Sequence, residues 1–558
     1  MKMSGAEIII KLLERQGVRT IAGIPGGANL PLYDAMGKNG NIKHILTRHE
    51  QGAGFIAQGM ARVTGKPAVF FATSGPGATN TLTAIADAKL DSIPIICITG
   101  QVPLSMIGTD AFQEVDTYGL SVPITKHNFL VRSAEDLLRI IPDAFRIAAS
   151  GRPGPVVIDV PKDVQMAEVE FDEWPELGVP DATPELFHGE IEHAAAMINR
   201  AKRPILYLGG GVILSDSSAE ALAMAEKGAI PSVLTLMGLG AIPSGHPLNL
   251  GMLGMHAARY TNLALEECDL LIAVGVRFDD RATGKVSEFC PKAKVIHMDI
   301  DPSELDKIKT AHASVRGDVA DVLKALLPHI EQKNRAEWNG RIESLRTAHP
   351  MIVPGADDPT SPYGVILKAA ELAGEEAIVC TDVGQHQMRT AQVYPFTRPH
   401  RWLTSGGLGT MGFGMPAALG AALAAPDKPV ICFSGDGSIM MNIQDLATAM
   451  EYDIPIKIIL TNNNALGLVR QQQDLFYGQR YVASDYDKCV DFIKIAEGFG
   501  IKAYDLGNCD DPAVTLAEAI AAPGPALIHV PVSPNEPVYP MVAPGAANSQ
   551  MIGGENHV

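Results

Sequence analysis

The sequence predicts an α/β protein of several doubly wound, parallel-sheet units, and three observations carry that expectation. Apolar runs of strand length alternate with helix-period stretches. The 54 glycines and 39 prolines are spread evenly, as short connections need, and one strand, turn, helix, strand block occurs twice, far apart. At roughly 100–200 residues per domain, 558 residues make three to five domains.

Residues 4–16 carry a helix period, followed by an apolar strand at 20–24, a Pro25-Gly26-Gly27 turn and a second helix. The strand 42–47 runs into Arg48-His49-Glu50 and a long small-residue helix, and strands 68–72 and 93–99 flank another helix. Such alternation is the pattern of parallel crossovers, so 1–165 is expected to form a first unit. Residues 166–190 hold five acids between Glu168 and Glu176, with Pro175, Pro180 and Pro184, and read as a linker. A second unit, 191–330, opens with a helix at 191–200 and a strand at 205–208 that ends in Gly209-Gly210-Gly211; strands at 270–274 and 295–300 continue it. A polar connection, 331–360, leads to a third unit, 361–536, and the Pro- and Gly-rich tail 537–558 is expected as an arm.

The repeat joins the first and third units. Val69-Phe70-Phe71-Ala72-Thr73 runs into Ser74-Gly75-Pro76-Gly77, a helix and Ile93-Pro94-Ile95; Val430-Ile431-Cys432-Phe433 runs into Ser434-Gly435-Asp436-Gly437, a helix and Ile454-Pro455-Ile456. The spacing from Ser to Pro is 20 residues in one (74 to 94) and 21 in the other (434 to 455). A duplicated α/β domain with a different domain inserted between the copies accounts for this, as would chance similarity of two βαβ units.

Composition narrows the function. The chain is 46% hydrophobic and 19% charged, with no apolar run near the roughly 20 residues of a membrane span and no signal or transit pattern, so cytoplasmic residence is expected. Forty-five Lys and Arg against 63 Asp and Glu give a net charge of −18, which argues against broad nucleic-acid or anionic-membrane binding. Seven scattered cysteines with no C-x-x-C pair signal neither a disulfide framework nor a zinc site.

The sharpest chemical signal is Gly435-Asp436-Gly437-Ser438. A glycine turn between a buried strand and a helix presents N–H groups to a phosphate, but an aspartate there would repel it unless a divalent cation intervenes. The chain returns through a helix and a strand at 456–461 to Asn462-Asn463-Asn464, and neighbouring parallel strands end at one edge, so carboxylate and amide oxygens can converge on one ion. Taken singly, Asp436 also suits a helix cap and the Asn run a turn; together they form a strong motif.

With these residues the chain resembles the thiamine diphosphate enzymes, whose signature is this G-D-G followed by N-N. The resemblance implies that Asp436, Asn463 and the main-chain carbonyl of Ala465 hold Mg²⁺ against the diphosphate, and that Glu50 faces the aminopyrimidine ring, usually of the partner subunit's cofactor. A carboxyl sharing a proton with ring N1′ lets the cofactor's own amino group act as base, work best done sheltered from water. An acid is also favourable at any helix N-terminus.

Further stretches narrow the resemblance, over essentially the whole chain, to the acetohydroxyacid (acetolactate) synthases, and within them to bacterial isozymes with little preference for 2-oxobutanoate. They include Gly26-Gly27-Ala28, Arg48-His49-Glu50-Gln51-Gly52-Ala53, Thr109-Asp110-Ala111-Phe112-Gln113-Glu114, Arg277-Phe278-Asp279-Asp280-Arg281, Asp382-Val383-Gly384-Gln385-His386-Gln387-Met388 and Gly407-Leu408-Gly409-Thr410-Met411-Gly412. The implied fold is a pyrimidine-binding domain and a pyrophosphate-binding domain flanking a central FAD-binding domain. For thiamine diphosphate the resemblance implies contacts from Gly27, Val383, Gly384, Gln385, His386, Gly437, Ser438 and Leu468, a hydrogen bond to Gly409, and Met411 as an apolar prop that bends the cofactor. For FAD it implies Arg152, Gly209 to Gly211, Thr235, Leu236 and the run Leu253, Gly254, Met255, His256. Gly275, Arg277, Asp279, Arg281, Asp299, Ile300, Asp318 and Val319 complete that set, the flavin having no net redox duty. By residue pattern alone the triple glycine is more often a turn, and the Arg-Asp segment also suits a surface ion-pair loop.

The implied reaction decarboxylates pyruvate and ligates the two-carbon fragment to a second 2-keto acid, giving 2-acetolactate or 2-aceto-2-hydroxybutyrate for branched-chain amino acid biosynthesis. Arg281 would receive the second acid's carboxylate, with Ala28, Phe112, Gln113 and Lys162 lining the approach. One departure matters: Gln472 stands where most anabolic members have tryptophan. An amide selects an extra methyl less well than an indole, so little preference for 2-oxobutanoate is expected. A homodimer or dimer of dimers is expected, with a possible small regulatory subunit. A pyruvate oxidase, a catabolic acetolactate synthase and a non-catalytic scaffold are the alternatives.

Overall fold

The structure is a computed structural model and describes residues 1–554; the last four positions of the expected arm lie outside it. Three six-stranded sheets organise the chain, and every pairing within them is parallel. In the first sheet the strands lie side by side as Lys43–Leu46, Thr20–Gly23, Ala68–Ala72, Ile95–Gln101, Val156–Pro161 and His127–Leu130. Numbered by their order in the chain, that is 2-1-3-4-6-5. The third sheet runs Trp402–Leu403, Ile378–Thr381, Val430–Gly435, Ile456–Asn462, Ala526–Pro531 and Lys502–Asp505, again 2-1-3-4-6-5. Identical order in two widely separated stretches is what a duplicated domain predicts, and it extends the likeness from one βαβ block to the whole sheet.

The central sheet differs. Its order is Asn249–Met252, Ser232–Leu234, Pro204–Leu208, Leu270–Val274, Lys294–Asp299 and Ala313–Arg316, which is 3-2-1-4-5-6. Strand order reverses between Pro204–Leu208 and Leu270–Val274, and the crevice beyond the carboxyl ends of these two strands is where doubly wound sheets place ligands. The inner strands of all three sheets are almost wholly buried, as helices on both faces require, and this is why they read as continuous apolar runs rather than alternating ones.

The outer domains meet through equivalent helices. Glu50–Thr64 follows the second strand of the first sheet; Gly414–Ala424 follows the second strand of the third. A Cβ on Gly59 would run into the Ala417 carbonyl, and one on Gly420 into the Ile56 carbonyl, so the glycines let the two backbones touch. The first of these helices starts at His49, whose ring Nδ1 accepts from Gln51 N at 3.1 Å, and stops at Gly65 with φ +67°.

Two stretches expected as connections carry structure of their own. Within 166–190, Glu168–Glu170 pairs antiparallel with Lys2–Ser4, and Phe171 stacks edge-on against Trp174. Within 331–360, the helix Ala336–Ala348 buries Trp338, Ile342 and Leu345 against the central sheet, with Trp338 Nε1 donating to Pro204 O at 3.0 Å. Its polar face is long and its apolar face only three residues wide, so composition reads as a linker. The tail is ordered as far as it is described: Met541–Val542 pairs antiparallel with Met551–Ile552, Val542 N donates to Met255 O at 2.8 Å, and Asn548 Nδ2 donates to Ala282 O at 2.8 Å. Among the described residues no helix is long and apolar enough to cross a membrane.

Candidate active site

The C-terminal half-site is assembled at one edge of the third sheet. Gly435 pairs with Thr461, so the turns beyond them lie side by side. Asp436, only 4% exposed, opens the short helix Asp436–Ile439; its Oδ1 accepts from Gly437 N at 3.0 Å and its Oδ2 from Ala465 N at 3.2 Å. Asn463 Oδ1 also accepts from Ala465 N, at 3.1 Å. The Asp436 and Asn463 side chains thus converge on the Ala465 amide, which sets all three at one place on the sheet edge. Burial pushes the Asp436 carboxyl up to about 6 against the lowering effect of those N–H groups, and a cation held there would supply the countercharge that burial withholds. Among the described residues no three His, Cys, Asp or Glu side chains gather as a metal cluster. The donors fit a hard cation that completes its octahedron with phosphate and water.

His386 lies against the backbones of Gly384 and Gly435: a Cβ on either glycine would come within 2.9 Å of the ring. Burial drives its imidazole down to about 3, so it is neutral, and its Nε2 is buried without a partner. In the tautomer with Nε2 protonated, that donor is free for a phosphate oxygen. Ser438 Oγ donates to Val383 O at 2.7 Å, tying the turn at Asp436 to the Val383–Gln385 segment. Gln385 Oε1 accepts from Asn463 Nδ2 at 3.3 Å, and Gly467 is packed so closely on both that no Cβ fits. The Met411 methyl lies 3.6 Å from where a Gly437 Cβ would be, and Gly409 takes φ +70°. Leu468 and Gln472 ride on the helix Gly467–Phe476, Gln472 exposed.

Sequence reasoning missed Asp382. This fully buried carboxylate accepts from Gly412 N at 2.7 Å, Val383 N at 3.1 Å and Ser434 Oγ at 3.2 Å, so it joins the three loops that form the half-site. An acid at the end of a buried strand, just before Val383-Gly384, was the available signal.

The N-terminal half-site occupies the matching edge of the first sheet. Glu50 is buried, and its Oε2 accepts from Asn80 Nδ2 at 2.9 Å. A Cβ on Gly77 would lie 3.5 Å from Glu50 Oε1 and 2.7 Å from Thr73 Cγ2, so the turn of the repeat faces the glutamate. Asn80 is a second omission: nothing in its sequence context marked it. Gln113 holds φ +59° with its backbone packed over Gly75, and Asp110 holds the same angle. Glu114 pins that loop by accepting from Ala111 N at 3.0 Å and from Gly108 N. Phe112 is 87% exposed, which excludes a core role for it. Gly27 is exposed, Ala28 O accepts from Gln165 Nε2 at 2.8 Å, and the half-buried Lys162 opens the helix after the strand Val156–Pro161.

A cavity of about 580 Å³ lies between these regions at the switch point of the central sheet. Gly209 and Gly211 lean on Gly275 so closely that a Cβ on Gly211 would come within 2.6 Å of the Gly275 Cα. Its walls include Arg152, Gly210, Thr235, Leu236, Leu253, Met255 and His256, and further Arg277, Asp279, Arg281, Asp299, Ile300, Asp318 and Val319. Gly254 stands behind that wall against the Arg281 carbonyl. Gly409, Leu468 and Gln472 line the same cavity, together with Met541 of the tail, whereas Gly27, Ala28, Glu50, Phe112, Gln113 and Lys162 do not. Arg152 reaches across from the first domain, 2.6 Å from Glu304 Oε1 and 3.2 Å from Asp301 Oδ2. Burial lifts Asp299 to about 6 and drives His256 down to about 4. Thr235 Oγ1 and Glu304 Oε2 are buried without partners. The volume, the glycine cradle, the three arginines and these orphaned atoms fit a large polar cofactor such as a dinucleotide.

Comparison with known proteins agrees with this geometry. Residues 3–120 match the family described as thiamine pyrophosphate enzyme, N-terminal TPP binding domain; 191–326 match the central domain, and 382–530 the C-terminal TPP binding domain. The chain is 60% identical over 552 residues to the acetolactate synthase isozyme 1 large subunit of Escherichia coli (strain K12), covering 99% of this chain and 98% of that protein. It is 47% identical to the isozyme 2 large subunit of the same organism, with 99% of each chain covered. To the acetolactate synthase large subunit of Parasynechococcus marenigrum (strain WH8102) it is 46% identical, over 100% of this chain and 92% of that one. With the three domains in order and similarity running from end to end, the chain belongs to the acetolactate synthase large subunits of the thiamine pyrophosphate enzyme family.

Proposed function

We propose that the protein condenses pyruvate with a second 2-keto acid, pyruvate or 2-oxobutanoate, releasing CO₂ and giving 2-acetolactate or 2-aceto-2-hydroxybutyrate for branched-chain amino acid synthesis. The observation that carries this reading is the pair of cofactor half-sites on one chain, Glu50 with Asn80 on one sheet edge and Asp436 with Asn463 on the other. Thiamine diphosphate, when bound, supplies the nucleophilic carbon and the electron sink for decarboxylation and ligation. Asp436, Asn463 and the Ala465 carbonyl hold Mg²⁺ against its diphosphate, and His386, Gly437 and Ser438 take the phosphate oxygens. Glu50, buried behind the Asn80 amide, holds a proton at pyrimidine N1′, and the Gly409 carbonyl accepts from the 4′-amino group.

Arg281, on the wall of the cavity, receives the carboxylate of the acceptor acid, and Gln113 and Lys162, which stand outside that cavity in this chain, line the approach from the facing subunit. The central cavity holds FAD through Arg152, Arg277, Asp299, Asp318 and the glycine cradle. Glu50 and the Asp436 site must face one cofactor, and by analogy with the family they do so from two subunits, which makes the working unit at least a homodimer. Exposed apolar side chains beside each half-site support a subunit contact there: Leu30 and Phe112 on one, Met440 and Met441 on the other. The relatives are named large subunits, and a small regulatory subunit is proposed here by analogy; the setting is the cytoplasm.

The test is product formation from equal pyruvate and 2-oxobutanoate with thiamine diphosphate, Mg²⁺ and FAD, for wild type and Glu50→Gln. Acetolactate without strong bias to acetohydroxybutyrate, and severe slowing by Glu50→Gln, is the expected result. Acetyl phosphate, peroxide or acetaldehyde as the main product would replace this reading with an oxidase or decarboxylase.

A further inference from the structure

The loop 405–410 stands between the central cavity and the C-terminal half-site, and it is gripped by two acids of the other outer domain. Asp87 and Asp91 lie one helical turn apart on the helix Leu82–Asp91, both buried. The Asp91 carboxylate accepts from two consecutive backbone groups of the loop, Gly407 N at 2.7 Å on Oδ1 and Gly406 N at 3.0 Å on Oδ2. Arg62 Nη2 donates to the same Oδ2 at 2.7 Å. Asp87 Oδ1 accepts from Thr410 Oγ1 at 2.8 Å and from Ser405 Oγ, and Ser405 Oγ in turn accepts from Thr410 N at 2.8 Å. Both ends of a six-residue loop are therefore fixed from outside its own domain, and only Leu408 and Gly409, the latter with φ +70°, stand between the gripped positions 407 and 410. Asp91, Ser405, Gly406, Gly407 and Gly409 all line the cavity.

We infer that Asp91, assisted by Asp87, is a positioning residue that sets the Gly409 carbonyl against the cofactor's amino group and holds the wall shared with the flavin cavity. The inference rests on the proposed reading of Gly409. A carboxylate suits this task because three donors point at it; an amide presents only one acceptor oxygen and turns an N–H toward a donor. The alternative is that Asp91, paired with Arg62 inside the first domain, ties the two outer domains together and matters only for stability.

Deuterium uptake at C2 of bound thiamine diphosphate separates the two, because it reports the amino group's work at saturating cofactor rather than the amount of folded protein. It is to be measured by quenched NMR in wild type, Asp91→Asn and Thr410→Val, together with FAD and thiamine diphosphate titrations and melting of the cofactor-free protein. The expected result is C2 exchange slowed at least tenfold in Asp91→Asn at saturating thiamine diphosphate, with weaker FAD binding, and a smaller slowing in Thr410→Val. Exchange within twofold of wild type in a folded variant, with only the melting temperature lowered, overturns the inference. Should Asp91→Asn fail to fold, Thr410→Val decides: unaltered exchange there refutes the grip. A wild type that neither binds thiamine diphosphate nor exchanges C2 would refute the functional reading instead.

Discussion

The first and third sheets are one fold used twice, and they put different chemistry at the same three strand ends. After the second strand the first unit places Glu50 and its helix; the third places the Gly409 loop and the helix Gly414–Ala424. After the third strand one reads Gly75-Pro76-Gly77 and the other Gly435-Asp436-Gly437. After the fourth, one carries the strained Phe112–Gln113 loop and the other Asn463 and the helix with Gln472. The scaffold thus fixes where functional groups stand, and single residues decide which copy handles metal and which handles the proton. Pro76 keeps the turn but brings no carboxylate, so only one copy is fitted to a cation.

The largest effects should come from breaking that division of labour. Glu50→Gln removes the proton-sharing carboxyl while keeping its shape and the Asn80 contact, and kcat should fall by about 10²–10⁴ with thiamine diphosphate binding retained. Asp436→Asn attacks the other copy: it should abolish Mg²⁺-dependent retention of thiamine diphosphate, as gel filtration of the loaded enzyme would show, whereas Pro76→Ala should leave retention intact. If both acids affected rate and retention alike, the two copies would not be specialised.

The fourth strand ends sharpen the comparison. Gln472, an exposed residue, lines the same cavity as Arg281. Gln472→Trp should raise selectivity for 2-oxobutanoate over pyruvate as acceptor by about 1–3 kcal/mol, read as the product ratio at equal substrate. An unchanged ratio would place acceptor selection elsewhere, on the exposed Phe112 of the first copy.

Between the copies, the glycine contact is the next test. Gly59→Val drives a side chain into the Ala417 carbonyl, and destabilisation of about 1–3 kcal/mol is expected in denaturant unfolding. Gly37→Ala, on a helix with open space around that glycine, should cost far less.

Much of this was legible in the sequence, for a physical reason. Strands buried on both faces must be continuous apolar runs, so 68–72 and 270–274 are predicted to the residue. The Asp436–Asn463 pair was readable because parallel neighbours end at one edge, which turns a spacing in the chain into a distance in space. The helix Ala336–Ala348 was hidden because three buried side chains on a polar segment leave a weak period. Asn80 and the Asp87–Asp91 grip were hidden because their partners are 30 and more than 300 positions away, and no local pattern announces a contact of that kind.

The smallest effect tests the sixth strand in chain order, where the two copies read Val156-Val157-Ile158-Asp159-Val160-Pro161 and Ala526-Leu527-Ile528-His529-Val530-Pro531. His529 hydrogen-bonds Asn462 at 3.1 Å and lies 3.0 Å from Asp505, partly open to solvent. Asp159 is buried, accepts from Thr99 Oγ1 at 2.7 Å and Gln101 Nε2 at 3.0 Å, and has Asp116 as its charged neighbour. Burial pushes its carboxyl up to about 7 from an ordinary value of 3.8, outweighing the two hydrogen bonds. Because the folded value lies above the unfolded one, its contribution to stability is complete below about pH 4 and is lost as pH rises through about 7. Asn cannot ionise, so the stability of Asp159→Asn relative to wild type should climb between pH 4 and 7, by at most about 1.4 kcal/mol per pH unit. Thermal unfolding of both cofactor-free proteins at pH 5, 6, 7 and 8 reads this difference. Parallel pH profiles would mean that Asp159 ionises freely in the folded chain, and the two copies would then differ less at this position than their burial implies.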